Sequence, residues 1–313
     1  MSALPALLFM LLTPAMAEPI ACPQAAPQTA PVGSQRAFGD DGDLILRKTR
    51  RMLCEWDENG RLTRELHWNR DGQKHGIETT KHNGTLVAAG HWNAGVRQGQ
   101  WQIKEDDLTS TGHYTGGVKS GEWFTYDGTG ELARTELWQA DTLRQTATWH
   151  AGELDSLRSF SPDGVLNGPY YDVRGHRTDL GAMTNGRRSG EWRFLHSGKL
   201  YERGDYVDGR KHGLWIHINA DWRFETTFKN GLEEGAFRRY VGGLLQEEGS
   251  YHRGLQHGAW LTNWPGTEIP RYLLSFDHGQ REGPHSYWDE QGRLTRRGLL
   301  TDGKWIAEYE RPE

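Results

Sequence analysis

An all-β chain, built as an elongated single-sheet solenoid of antiparallel β-hairpins, is predicted by three observations. Gly (40 of 313 residues) and Trp (14) are abundant, while hydrophobic residues reach only 35%. A G-x-x-x-G pair recurs at near-constant spacing. A second turn signal lies halfway between successive pairs. Glycine is a poor helix former, which argues against a helix bundle. The thin aliphatic fraction argues against a large Leu/Ile/Val core. With aromatics at 11%, the composition is not that of a disordered chain.

The N-terminus comes first in the chain. An apolar stretch runs from Ala3 to Leu12, and Ala15-Met16-Ala17 is a small-x-small cleavage pattern. Residues 1–17 are therefore read as a secretory signal cut before Glu18, although no Lys or Arg precedes the apolar stretch. That stretch is too short to span a bilayer comfortably, and no later run is long enough, so no integral membrane span is expected. Residues 18–36 carry Pro19, Pro23, Pro27 and Pro31 and read as an extended tether. Residues 37–54 read as an N-terminal cap segment.

Cys22 and Cys54 are the two cysteines of the chain. In an oxidising compartment an even pair is most simply a disulfide. Two unpaired thiols, or an acylated Cys22, are the alternatives. A lipobox wants Leu three residues before the cysteine, and this chain has Pro19 there. The expected location is periplasmic or extracellular.

The repeats occupy residues 55–309, followed by a tail at 310–313. Gly204-Asp205-Tyr206-Val207-Asp208-Gly209-Arg210-Lys211-His212-Gly213-Leu214-Trp215 shows the unit. The first glycine of each pair falls at Gly72, Gly95, Gly117, Gly164, Gly186, Gly209, Gly231, Gly254 and Gly279. The second falls at Gly76, Gly99, Gly121, Gly190, Gly213, Gly235, Gly258 and Gly283. Both sets are read as structural turn glycines. One position is degenerate, with Asp141 and Gln145 where glycines are expected. The halfway signals include Asn59-Gly60, Asn83-Gly84, Gly198-Lys199-Leu200 and Gly292-Arg293-Leu294. Two turns in about 23 residues leave two stretches of about six or seven, ordinary strand length. Trp, Tyr, Phe and Thr in them favour strands, and Asn-Gly and Asp-Gly between them suit tight hairpins. About eleven hairpins are predicted, each stabilised mainly by its neighbours.

Tyr206-Val207-Asp208-Gly209-Arg210-Lys211-His212-Gly213 resembles the aromatic-x-x-G-x-x-H-G core of MORN repeats, in the bacterial variant form with Trp after the second glycine. The resemblance covers most of residues 55–309. For bacterial relatives it implies an antitoxin component. Trp101, Trp123, Trp192, Trp215 and Trp260 stand where eukaryotic members have a small residue.

Two positions after the second glycine stand Trp101, Trp123, Tyr170, Trp192, Trp215, Phe237 and Trp260. One such residue per unit makes a row on one sheet face, which is either core or an aromatic binding groove. His75, His212 and His257 share a turn slot. Two repeats separate His212 from His257, about 19 Å at ordinary strand spacing. They cannot ligate one ion, and no metal or cofactor is expected. Motifs for phosphate loops, nucleophile elbows and zinc proteases are absent, and no enzyme is expected. A unique site would sit in the least regular units, residues 141–177. The net charge of −5 carries no basic stripe, so nucleic acid is not an expected ligand. The function expected is that of an exported, non-catalytic scaffold that binds a protein, in one version neutralising a toxin. The alternative is a cell-envelope glycan binder using exposed aromatic side chains.

Overall fold

The computed structural model describes residues 21–24, 35–38, 44–48 and 51–309. The signal segment (1–17), most of the tether and the tail (310–313) lie outside the described residues. No described residue is helical. The chain divides into two units, Met1–Asp141 and Thr142–Glu313.

The first unit is an antiparallel meander. Its strands are Gln35–Phe38, Leu44–Lys48, Met52–Trp56, Leu62–Trp68, Lys74–His82, Thr85–Asn93, Val96–Glu105, Leu108–Thr115, Val118–Tyr126 and Leu132–Gln139. Each pairs with the next. The segment read as a cap thus supplies strands to the sheet. The second unit repeats the pattern from Thr142–His150 to Lys304–Tyr309. Among the described residues no later strand of either unit returns to pair with its first. Each unit is an open single sheet of hairpin repeats, the fold class expected from the sequence.

Most hairpins close in two residues with positive φ at both, as at Asn83-Gly84 (50° and 75°) and Asp208-Gly209 (50° and 78°). That is the backbone whose twist matches the flanking strands. The degenerate position keeps its turn without glycine, since Ala140 and Asp141 take φ of 48° and 62°.

The second glycines are not in turns, and here the sequence reading needs correction. Gly76, Gly99, Gly121, Gly190, Gly213, Gly235 and Gly258 lie inside strands, and Gly283 opens one. Thr111 pairs with Phe124 and His113 with Ser120, so Gly121, Glu122 and Trp123 oppose the single residue Gly112. Gly213, Leu214 and Trp215 oppose Gly204 in the same way, and Gly258, Ala259 and Trp260 oppose Gly249. Gly99, Gly121, Gly190, Gly213 and Gly258 each start a bulge, Gly76 and Gly235 lie in the middle of one, and all take positive φ there, 68° at both Gly121 and Gly213. Strands run through it, so most contain eight to ten residues rather than six or seven.

The bulge solves a problem of single-layer sheets, which have no second layer to cover apolar side chains. It lays each tryptophan flat on the opposing glycine. A Cβ on Gly112 would stand 2.1 Å from Trp123 Cδ2, and one on Gly204 would stand 2.4 Å from Trp215 Cδ2. Gly90, Gly181 and Gly249 seat Trp101, Trp192 and Trp260 likewise. Each indole N–H donates to the carbonyl of the residue after its glycine, at 3.0–3.2 Å in all five cases. Tyrosines close the sides: Tyr114 lies edge-on between Trp101 and Trp123, and Tyr206 between Trp192 and Trp215.

Candidate functional site

The predicted aromatic row falls into two groups by burial. Trp101, Trp123, Trp192, Trp215 and Trp260 are only 1–3% exposed and form the core of the sheet face they occupy. Tyr170 and Phe237 are half-buried, packed on Trp192 (5.5 Å between rings) and Trp260 (5.3 Å).

Cations cap four of the five tryptophans, which the sequence reading missed. Lys211 Nζ lies 4.0 Å from the Trp215 ring centre, Lys119 Nζ 4.4 Å from Trp123, and the Arg97 and Arg188 guanidiniums 4.6 and 4.5 Å from Trp101 and Trp192. Each sits two residues after a first glycine, so the basic slot Lys74, Arg97, Lys119, Arg188, Lys211 was readable as a column. Such contacts contribute about 0.5–2 kcal/mol each, more as water is excluded. Carboxylates on the same face complete the layer: Glu202 accepts from Lys211 at 2.5 Å, and Glu136 pairs with Lys119 at 3.4 Å. In the irregular units Asp172 and Asp179 stand directly opposite each other on paired strands, both buried. Like charges so placed repel. Here Arg158 and Arg174 pair with Asp172, and Arg177 and Arg188 with Asp179.

One unit breaks the column with Glu233, opposite Phe228. Burial raises the Glu233 pKa, against the pull of Lys211. A raised carboxyl pKa favours the protonated form in the fold. Its contribution to stability is present below the ordinary carboxylate range and is lost as pH rises through the folded value. We expect Glu233→Gln to match the parent near pH 4 and to exceed it by pH 7. Urea titrations at the two pH values check this, and an equal difference at both would contradict it.

The opposite face of the second unit carries the site that stands out. Side chains alternate across a strand, so the register aligns Ala147, Leu157, Tyr171, Leu180 and Arg193 in one row away from the tryptophans. Leu157, Tyr171 and Leu180 are half-buried. With Leu154, Ala182 and the Glu191–Arg193 pair they line an open groove of about 510 Å³. Arg193 Nε donates to Glu191 at 2.9 Å, which holds the Glu191 carboxyl below its usual range. The groove touches the irregular units singled out from the sequence. Its chemistry is an apolar floor with one internally paired carboxylate at the rim.

Cys22 and Cys54 form a disulfide, with Cα atoms 5.8 Å apart. It fits a non-reducing compartment. No helix among the described residues is long and apolar enough to cross a membrane.

No known family model matches the chain, and no curated protein does. Among solved structures, BamB from Moraxella catarrhalis aligns over 89% of this chain and 88% of its own, at 10% identity and a TM-score of 0.16. The Photorhabdus luminescens Tc holotoxin pore aligns over 89% of this chain and 18% of its own, at 13% identity and a TM-score of 0.18. The TcdB2-TccC3 structure aligns over 87% of this chain and 18% of its own, at 11% identity and a TM-score of 0.15. Scores this low mark no shared course of the chain.

Of the histidines sharing a slot, His75 Nδ1 accepts from Ala94 N at 3.4 Å, while His212 Nδ1 is buried without a hydrogen-bond partner. His257 lies against the next turn, 3.4 Å from Asp277.

Proposed function

We propose that this chain is an exported, non-catalytic repeat protein of MORN-like type that binds another protein through the Leu157–Tyr171–Leu180 groove. The observation that carries this reading is the contrast between the two faces. One face buries its five tryptophans, four of them under its own cations. The other leaves an apolar row open beside a paired Glu191–Arg193 rim. An apolar side chain of a partner fits the floor, and the rim offers it hydrogen bonds. The disulfide supports export. Neutralisation of a secreted toxin is one concrete version, implied by the MORN-like resemblance.

The glycan reading is weaker. Sugar stacking needs free ring faces, and the five tryptophans are buried. Of the rings nearer solvent, half-buried Trp92 and Trp138 and exposed Trp305 already carry Lys74 at 4.3 Å, Lys119 at 5.0 Å and Arg296 at 4.2 Å.

Affinity capture of the tagged chain from its native cell envelope, with cross-linking and mass spectrometry, tests the proposal. We expect one stoichiometric protein. The Leu157→Glu/Leu180→Glu variant should weaken its binding at least tenfold, about 1.4 kcal/mol, with unchanged circular dichroism. Capture of wall fragments instead, or a partner indifferent to this variant, would overturn the groove assignment.

A further inference from the structure

We propose that His257, Asp277 and His278 form a binding site for a zinc-class transition-metal ion, with His252 as its fourth ligand. The site follows from how one turn docks on the preceding unit. Gly279 N donates to Gln256 O at 2.8 Å, which seats the turn bearing Asp277 and His278 against the strand residue beside His257. One unit earlier, Gly254 N donates to Glu233 O at 2.8 Å and seats the turn that follows His252. Three imidazoles from two successive turns and the strand between them therefore meet. Their ring centres are 5.7 Å (His252–His257), 5.7 Å (His257–His278) and 6.1 Å (His252–His278) apart.

The donor atoms already converge. Asp277 Oδ1 lies 2.7 Å from His278 Nδ1 and 3.4 Å from His257 Nδ1. One ligand atom from each of the three lies within 4.8 Å of the others. Tetrahedral bonds of about 2.1 Å put donors roughly 3.4 Å apart. The three side chains are 47–64% exposed, so rotation about their own bonds can close that gap without moving a strand. His252 brings the outer partner that metal-binding histidines usually have. Its Nδ1 lies 3.0 Å from Glu234 Oε1, and a carboxylate accepts only from N–H, which leaves Nε2 with the lone pair. Glu234 is itself held by the backbone N–H of Arg253 at 2.8 Å. Imidazole nitrogen with one carboxylate suits Zn²⁺, Ni²⁺ or Cu²⁺ and not Mg²⁺ or Ca²⁺. The 19 Å separation between equivalent slots does not bear on this site, because its ligands come from different slots of adjacent units.

Calorimetry of the chelator-stripped full chain with Zn²⁺, and visible absorption with Co²⁺, test the assignment. We expect one ion per chain and the d–d bands of a tetrahedral site. His257→Asn and His278→Asn should each weaken binding at least tenfold. His212→Asn, in the same slot of a unit whose next turn is Asn230-Gly231, should leave it unchanged. No binding, equal loss in the His212 variant, or equal uptake of Mg²⁺ would each overturn the proposal.

Discussion

Gly112→Ala should destabilise the first unit by about 4 kcal/mol, far more than a methyl group in a strand ordinarily costs. The added Cβ would stand 2.1 Å from Trp123 Cδ2 and 2.4 Å from Cε2. Carbon contacts settle at about 3.5–4.0 Å. The ring cannot move aside without leaving its seat, because Tyr114 packs on it at 5.1 Å and its N–H is bonded to His113 O. The cost therefore approaches loss of the tryptophan itself, about 3–5 kcal/mol for a buried Trp→Ala. A double-mutant cycle makes the prediction specific. Gly112 has no left-handed backbone, and alanine is intrinsically better than glycine in a strand by about 0.5–1 kcal/mol. In a Trp123→Ala background, Gly112→Ala should thus turn mildly stabilising. Urea unfolding followed by circular dichroism measures both steps, and a penalty that persists without the indole would refute the seat.

Removing the disulfide by Cys22→Ser/Cys54→Ser should cost about 3–4 kcal/mol, the loop-entropy value for cysteines 32 residues apart. The loss should be local. The bridge holds residues 21–24 over a small cluster of Met52, Cys54, Trp56 and Leu62, all buried. Trp56 donates to Pro23 O at 3.1 Å, and Leu62 N donates to Gln24 O at 3.1 Å. Without the bridge, that short segment has few contacts to offset the entropy of ordering it. Hydrogen exchange should quicken first at Leu53, Leu62 and Leu66, while amides around Trp215 keep their protection. Uniform acceleration through both units would contradict the local account.

The sequence exposed the hairpin period because glycine, Asn-Gly and Asp-Gly sit where the backbone needs positive φ, and such needs repeat with the unit. It also exposed the tryptophan row, since a fixed offset from a fixed turn fixes the face. It hid the bulge, because G-x-x-x-G fits a wide turn as well as a turn followed by an irregular strand. Only the pairing shows Gly121-Glu122-Trp123 opposing one residue. The Leu157–Tyr171–Leu180 row was hidden for a related reason. A shift of one residue in register would send it to the other face, and degenerate units give no turn spacing from which to count. The histidine cluster is invisible to the repeat spacing because it does not join equivalent slots. The contact runs instead from the slot of one unit to the turn of the next, as the bond from Gly279 to Gln256 shows.

In both units strands pair with their neighbours in sequence. The chain between any two partners is a single short hairpin loop, so contact order is low and loop closure is quick. Among the described residues no strand waits for a distant segment to be synthesised before it can pair. Each hairpin can join the growing edge as soon as its second strand is available, and the edge it leaves is the template for the next. Under tension from the ends the same connectivity would act in reverse, releasing one hairpin at a time in small, even steps rather than in one cooperative rupture.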